Sequence, residues 1–513
     1  MTKTNRNLKD DQNNSPEIGI TRISVSGYKS LAEECSIEIA PLTILSGANS
    51  SGKSSIMQPL LLMKQTLEST YDAGSLKLNG ANVRLTSTDQ IFTKTINKSS
   101  SLFNSFTISL ELDKETTIKN TFKKESKIKG IKVFSSMYKY KHSSIILNLD
   151  MSHTSILNSC SIDLQEFYNV LKNKSKEVIA DYENNLRDVY KFEHSFVDFG
   201  KEQEIKKEID KAYKLVEYLY KFSVKSYRCF LYTDAEFLHT KFNLSFSSEI
   251  DSHEDIAIRN LFHLFGGDGI CNVADLRIRQ LIHVAGLRGN PERTYPVSSI
   301  GQFFTGTFEN YVASIIHSWK VTRDKRLKQL GEALQTLGLT WKVDAKQIDD
   351  TQVEVRVGRL KNKGNSQSTD MVSIADVGFG LSQTLPVVVA LLVAEPEQLV
   401  YLEQPEIHLH PRAQANLAQL LVEAANRGIR VVVETHSELL IRRVQSLIAE
   451  DKIAAEKVKL HWFSQDDNGF TKVTTAELDD TGAFGDWPED FSEISLQEES
   501  RYLDAAESKL MAV

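Results

Sequence analysis

Apolar and polar residues alternate from Ile18 to Ser26 (IGITRISVS), the pattern of a half-buried strand. Ser36 to Ile39 and Leu42 to Leu45 predict two further strands. The second runs straight into a glycine loop, Gly47-Ala48-Asn49-Ser50-Ser51-Gly52-Lys53-Ser54. Behind the loop, Ser55 to Leu67 is apolar and helical in composition, with Pro59 near its start, where proline is best tolerated. Thr107 to Leu112 and Ser143 to Leu149 predict strands around a lysine-rich stretch. From Leu164 to Phe222 the pattern is helical and highly charged, and its halves suit a helical hairpin. Gly200 and irregular spacing argue against a long heptad coiled coil. Ile256 to Phe265, Val273 to Val284 and Phe308 to Trp319 read as helices. Thr340 to Val343 and Val353 to Val357 read as short strands, and Leu385 to Val393 as an apolar helix. Gln398 to Leu402 and Ile429 to Val433 suit buried strands of a parallel sheet, with Ala413 to Ala425 as the crossover helix between them.

Composition changes this picture little. A chain of 513 residues has room for more than one domain. Its 61 Lys and Arg against 68 Asp and Glu give a net charge of −7, which disfavours a generally basic DNA-coating protein but leaves room for a local basic groove. Cys35, Cys160, Cys229 and Cys271 are scattered without a CxxC pair, so neither zinc spacing nor a disulfide framework is visible. Reduced thiols in a cytoplasmic protein are the simple reading. Residues 1–16 are polar, lack an apolar signal core and read as a disordered arm. The longest apolar run, Val387 to Ala394, is too short to span a bilayer.

Strand, glycine loop and helix together make a Walker A phosphate loop. Gly47 and Gly52 let the backbone wrap phosphates, with Asn49, Ser50 and Ser55 supplying further groups at the loop and the helix start. Lys53 supplies positive charge, and the Ser54 hydroxyl can ligate Mg²⁺. Glu403 ends an apolar strand, where an acid can hold Mg²⁺ or its water. Gln404 follows, at a position where many proteins place the glutamate that activates the attacking water. An amide orients a water but cannot take its proton. Either Glu406 supplies the base, or hydrolysis is slow, or the site mainly senses bound ATP. His436 follows another buried strand, Val431 to Glu434, and can hydrogen-bond a γ-phosphate. Gly378-Phe379-Gly380-Leu381-Ser382-Gln383 opens a helix, which reads equally as a second anion-binding terminus or as a plain cap. His408-Leu409-His410-Pro411 lacks further spaced ligands and favours a structural role over a metal site. Gln90 is a low-specificity candidate for Mg²⁺ or the attacking water. Lys114 to Lys141 holds nine lysines interleaved with Phe122, Phe134, Tyr138 and Tyr140. It suits a nucleic-acid surface or a solvated hairpin whose charge blunts a sheet edge.

Taken together, these segments resemble ABC-type ATPases of the non-transporter branch that includes RecF, the SMC-like repair ATPases and the OLD proteins. Tyr28-Lys29-Ser30 is similar to their N-terminal pattern. EQPEIHLHP from Glu403, VGFGLSQTLP from Val377, GLRGNPERTYP from Gly286 and Trp487-Pro488-Glu489-Asp490-Phe491 resemble the PtuA-like ATPases of the Septu anti-phage system. The resemblance implies an α/β fold: an ABC-type P-loop head with a long lysine-rich and helical insertion. Its expected divisions are the arm 1–16, a first ATPase lobe 17–112, the insertion 113–275, a second lobe 276–465 and an acidic tail 466–513. It implies ATP and Mg²⁺ as cofactors and a homodimer or higher oligomer. Lys53, Ser54, Glu403 and His436 of one subunit would face Ser382 of another, although GFGLSQ departs from the usual LSGGQ. It further implies an HNH nuclease partner of the PtuB kind, in retrons also a reverse transcriptase with its msDNA, and DNA contact through the lysine-rich insert. The alternatives are a RecF- or SMC-like DNA repair ATPase and an OLD-like ATPase–nuclease. The repair reading needs longer heptads, and the OLD reading needs a Toprim domain in the 77 residues after His436 (513 minus 436).

Overall fold

In the computed structural model the described residues are 19–94, 104–125, 130–141, 143–152, 155, 159, 220–237, 268–359, 370–485 and 500–505. The expected N-terminal arm, the helical hairpin from Leu164 and the helix Ile256 to Phe265 lie outside them, save that Tyr220 to Phe222 open a strand.

The alternating segment at the start forms β1 (Arg22–Ser26), which pairs with β2 (Cys35–Glu38). The loop-bearing strand is β3 (Leu42–Gly47), every residue of it buried. It feeds α1 (Lys53–Leu67), whose apolar residues Ile56, Leu60, Leu61 and Met63 are buried. Next come β4 (Ser105–Glu111), β5 (Thr116–Glu125), β6 (Gly130–Tyr140) and β7 (Ser143–Asn148). These extend the sheet that β1 and β2 begin, in the order β2-β1-β4-β5-β6-β7 and antiparallel throughout. Position 112/113 therefore falls in the short connection between two paired strands of one sheet. The lysine-rich hairpin β5–β6 is internal to that sheet, with β4 and β7 on its flanks. The expectation that its charge blunts an edge is thus corrected. Ile118, Phe122, Val133 and Tyr138 point into the core, and the lysines between them are the solvated side of the same strands. Lys119 pairs with Glu34 at 3.1 Å, and Lys123 lies 4.9 Å above the Phe134 ring.

A further hairpin, β8 (Tyr220–Tyr227) and β9 (Phe230–Phe237), precedes α2 (Asp268–Gln280) and β10 (Ile282–Val284). The single helix expected over Val273 to Val284 ends at Gln280, because Ile282 to Val284 enters the central sheet beside another strand. Then follow β11 (Tyr295–Pro296), α3 (Glu309–Val321), α4 (Lys325–Thr336), β12 (Val343–Asp349), β13 (Gln352–Gly358) and β14 (Met371–Ser373). The strand expected at Thr340 to Val343 thus begins where that prediction ends. The chain continues with α5 (Phe379–Val393), β15 (Leu399–Glu403), α6 (Pro411–Asn426), β16 (Arg430–Glu434), α7 (Glu438–Ala449), β17 (Val458–Gln465) and β18 (Thr471–Ala476).

The central sheet has the order β10-β15-β16-β3-β17-β18, parallel except for β18. The first strand of this sheet in chain order, β3, is therefore inserted between β16 and β17, which arrive about four hundred residues later. Successive residues of the central strands serve opposite layers. Leu399, Tyr401, Val432 and Phe463 pack with α1 and the antiparallel sheet; Val400, Leu402, Val431 and Val433 pack with α3 to α7. Each such buried Val or Leu contributes roughly 1.5–3 kcal/mol over an exposed one, which fixes the register and with it the carboxyl ends of β3, β15 and β16. Among the described residues, no helix is long and apolar enough to cross a membrane.

Candidate nucleotide site

The carboxyl end of β3 turns into the glycine loop under tight steric constraint. Gly47 has φ +138°, and a Cβ there would lie 2.1 Å from the Phe463 carbonyl oxygen. Gly52 has φ +102°, and its Cβ would lie 2.2 Å from Thr471 Oγ1. Only glycine fits either place. Thr471 also donates to the Ser51 carbonyl at 2.8 Å, and Gln465 Nε2 donates to the Ser50 carbonyl at 3.0 Å, so β17 and β18 brace the loop from behind. Asn49 and Ser50 stand exposed at its tip, while Ser55 is half-buried in the first turn of α1. Gly52 provides no side-chain cap for α1, and no acid occupies the first turn. Lys53 Nζ is turned onto the loop's own carbonyls, Gly47 O at 3.0 Å and Ala48 O at 2.6 Å. Burial lowers the Lys53 pKa, against an opposing pull from Glu434. An uncapped helix start beside an ammonium that rests on two loop carbonyls is suited to phosphate, so the residues present fit the triphosphate of ATP.

The two acids that end β15 and β16 stand in register, Glu403 opposite Glu434, and Glu434 lies opposite Leu45 of β3. Because β16 is the strand between, Glu434 is the acid that meets the loop. Ser54 Oγ is 2.9 Å from both Glu434 carboxylate oxygens. Glu403 is engaged on the other side: His283 Nε2 lies 3.1 Å from its Oε1, and the Gly286 N–H donates to its Oε2 at 3.0 Å. His283 Nδ1 continues to Asn82 Oδ1 at 3.0 Å. Between the acids stands Tyr401, wholly buried, whose hydroxyl donates to Glu434 Oε2 at 2.9 Å and whose ring stacks on His283 with centroids 5.3 Å apart. Burial and the charge of Glu403 raise the Glu434 pKa, against the bonds from Ser54 and Tyr401. For Glu403 burial pushes upward, but His283, the Gly286 amide and Tyr401 outweigh it and the pKa is lowered. Sequence reasoning gave Glu434 no role, although it ends a buried strand just as Glu403 does; Tyr401 carried no signal beyond its strand, and His283 fell in an expected helix that the structure replaces by β10.

Gln404 takes a left-handed backbone, φ +42°, and its N–H donates to the Glu434 carbonyl at 2.8 Å. A residue other than glycine held there carries strain of order 1 kcal/mol. Glu406 is buried. Its Oε1 accepts from Thr435 Oγ1 at 2.7 Å and from the His436 N–H at 2.9 Å, while its Oε2 has no partner. Glu406 therefore holds the backbone that presents His436, whose own ring is exposed. Partial burial and the Lys53 charge lower the His436 pKa, which keeps a neutral imidazole beside the phosphate loop. Arg288, from the GLRG segment, reaches Gln383 Oε1 at 3.4 Å and the Gln404 carbonyl at 3.3 Å, and so ties α5 to the turn after β15. Its Nη1 is buried without a partner.

Ser382 lies in the first turn of α5 with its hydroxyl on the Phe379 carbonyl at 3.0 Å. Among the described residues, no hydrogen bond joins it to the groups around Lys53. Gln90 is set apart in a different way. Its Oε1 accepts from the Thr86 and Ser87 amides at 2.8 and 3.2 Å and completes a capping box with Ser87. The oxygen that a cation would need is thus engaged by backbone. His410 caps α6 through Arg412 N, a structural use of the HLHP run.

A family model described as AAA ATPase domain matches residues 19–441. The chain belongs to the AAA ATPase domain family. It is an α/β P-loop ATPase, and the single match begins in the first expected lobe, spans the insert and ends within the second. No curated protein sequence matches the chain. Among solved structures it is similar to the Smc head domain with an extended coiled coil bound to the C-terminal domain of ScpA from Pyrococcus furiosus, at 11% identity and TM-score 0.40, covering 95% of this chain and 99% of that one. The SMC head domain from Thermotoga maritima shows 10% identity and TM-score 0.34 over 90% of this chain and all of that one. The Smc head with a coiled coil and joint from Pyrococcus yayanosii shows 10% and 0.39, over 94% and 99%. Similarity at this level assigns no residue a role.

Proposed function

We propose that this ATPase works as an ATP-gated clamp. It pairs with a second copy through its nucleotide sites and holds or releases an HNH nuclease of the PtuB kind in anti-phage defence, together with a reverse transcriptase and msDNA where the locus encodes them. The observation that carries the gating part is Gln404. The position after the strand-end acid holds an amide in a strained left-handed turn whose N–H is tied to β16. Such a residue orients water without accepting its proton, so occupancy of the site outlasts each turnover. Pairing is supported by the rim. Leu287 is 96% exposed and Phe379 53% exposed, and their segments are joined through Gln383, which donates to the Gly289 carbonyl at 3.0 Å. Two large exposed apolar side chains on the segments that Gln383 joins suit an opposing protein surface. The nuclease and defence parts rest on the sequence resemblance. The lysine-bearing outer face of β5 and β6 is the proposed DNA contact.

The experiment is phage plating on cells carrying the ATPase with its neighbouring HNH gene, beside the Lys53→Ala variant. Protection is expected to vanish with Lys53→Ala. Undiminished protection by that variant sinks the ATP-dependent reading, and failure of the HNH protein to co-purify with the ATPase removes the nuclease.

A further inference from the structure

The antiparallel sheet matches its charges at one end and leaves them unmatched at the other. Around β1 and β2, Arg22 lies 3.2 Å from Glu111 and 3.9 Å from Glu38, and Lys459 of β17 lies 3.9 Å from Glu38. On β5 and β6 the outward positions carry Lys119, Lys123, Lys132 and Lys139. Among the described residues, only Lys119 of these four pairs with a carboxylate, that of Glu34. Strand register sharpens the imbalance. Lys119 stands between Ser109 and Met137, Lys139 between Thr117 and Ser144, and Lys123 between Ser105 and Lys132. None of these neighbours is acidic. Lys123 and Lys132 are directly opposed, and like charges so placed destabilise a strand pair. An anion bridging them removes the repulsion. Beside them the register shifts: Thr121 lies opposite Ser135 and Phe122 opposite Val133, so Phe134 is the extra residue of a bulge. A bulge re-aims the side chain it carries. Here it turns a phenyl ring outward, 46% exposed, with Lys123 Nζ 4.9 Å above it. The β8–β9 hairpin packs on the opposite face, where the Tyr138 hydroxyl donates to the Leu231 carbonyl at 2.6 Å and the Leu231 N–H to Ser136 Oγ at 3.1 Å.

We infer that this outward face binds single-stranded DNA, with Lys123 and Lys132 gripping a phosphate between them and Phe134 stacking a base. This deepens the DNA contact proposed above and rests on it. Lys119 and Lys139 continue the track of positive charge. Lys139 lies seven residues along β6 from Lys132, roughly 24 Å at the rise of an antiparallel strand, so the ammoniums mark a path and not a point. The hydroxyls that flank the lysines in register suit phosphate and sugar oxygens. The aromatic ring decides between one strand and two. In a duplex the bases are stacked inside the helix, and a phenyl on a sheet surface meets only backbone. In a single strand each base has a π-face free to lie on the ring. An acidic polypeptide would use the lysines and leave the ring idle.

The test is fluorescence anisotropy of the full chain across a salt series, with labelled oligo-dT of about 20 nucleotides and a mixed-sequence duplex of the same length as probes. The wild-type chain is expected to bind oligo-dT about tenfold or more tighter than the duplex at matched salt. Phe134→Ala is expected to weaken oligo-dT by about tenfold with duplex binding and salt slope unchanged, and Phe134→Tyr to keep the affinity. Lys123→Gln combined with Lys132→Gln is expected to weaken oligo-dT by about tenfold or more and to flatten the log–log salt slope by about 0.7, one single-strand phosphate. That double variant also relieves a like-charge pair, so its melting temperature without DNA is expected to hold or rise, which separates lost binding from lost fold. Equal affinity for the two probes, or oligo-dT affinity that Phe134→Ala leaves unchanged, overturns the single-strand inference, while a DNA contact that the lysine variant weakens still stands. Oligo-dT binding untouched by the lysine variant, or no binding of either probe by the wild-type chain, removes the DNA contact itself. Polyglutamate that displaces oligo-dT equally well from the wild-type chain and from Phe134→Ala makes the occupant an acidic polypeptide and also overturns the inference.

Discussion

The two ends of α1 are built on opposite plans. At its start the helix has no side-chain cap, no acid in the first turn, and a lysine whose ammonium, among the described residues, hydrogen-bonds its own loop's carbonyls. At its end the backbone carbonyls are taken up by a distant cation. Arg228, in the β8–β9 turn, donates to the carbonyls of Thr66 at 2.7 Å, Leu67, and Ser69 at 2.7 Å. Lys64 pairs with Glu68 in the same buried turn and donates to the Arg279 carbonyl at 2.8 Å. A helix start left open costs stability unless an anion completes it, whereas an end closed by cations complements the helix dipole. The contrast extends into the sheet. His461, fully buried on β17 next to β3, has both ring nitrogens bonded, to Thr475 Oγ1 and to the Glu38 carbonyl at 2.9 Å each. Near the site, by contrast, Glu406 Oε2 and Arg288 Nη1 are buried without partners. Partnerless buried atoms also occur away from the site, as at Ser69 Oγ and Asn120 Oδ1, so the contrast rests on the two helix ends and not on every polar group.

The sharpest way to break this comparison is Lys53→Ala. Calorimetric titration should show ATP affinity falling by about 100-fold or more, since a charge-assisted contact to phosphate is lost at the open end, while melting temperature without ligand changes little. A large loss of stability with ATP binding kept would make Lys53 a structural residue. Glu406→Ala comes next. It frees the Thr435 hydroxyl and the His436 N–H, so single-turnover hydrolysis should fall on the order of tenfold or more. Unchanged turnover would remove Glu406 from the machinery. Single-turnover hydrolysis by Gln404→Glu should exceed that of wild type; equal rates would show that the amide does not slow the chemistry. At the closed end, Arg228→Ala should cost about 2 kcal/mol in denaturant titration and leave ATP affinity within about threefold. If it weakens ATP binding as much as Lys53→Ala does, the two ends are not separate.

The smallest effect is expected of His461. Burial lowers its pKa, so at neutral pH it is uncharged in folded and unfolded chains alike and contributes nothing to pH dependence. As pH falls below the ordinary imidazole range, the unfolded chain takes a proton that the folded one refuses. Stability should then drop by up to about 1.4 kcal/mol per pH unit until the lowered folded pKa is reached. Urea titrations from pH 7 down to 5 should show a shallower fall for His461→Gln than for wild type. Identical slopes would mean that this histidine is not held neutral by the fold.

The phosphate loop was fully legible in the sequence because its chemistry is contiguous. Two glycines, a lysine and a serine at fixed spacing between a strand and a helix need no tertiary contact to be recognised. The buried strands ending at Glu403 and Glu434 were legible too, since β-branched runs bounded by turns mark parallel strands. Gln90 could not be placed from sequence, because an exposed glutamine looks the same there whether it caps a turn or faces a ligand. The lysine-rich hairpin misled because its position within the sheet depends on strands β4 and β7 on either side.

The sequence by itself determined that this chain wraps a phosphate, ends two buried strands in carboxylates, and places an amide where a proton acceptor is usual. Only the tertiary structure decided which carboxylate meets the phosphate loop. Strand order is a long-range property, set when β3 inserts between β16 and β17 and buries Ile44, Val433 and Phe463 on its two faces. That insertion makes Glu434 the neighbour of Ser54 and leaves Glu403 one strand away, a distinction no local pattern of residues contains.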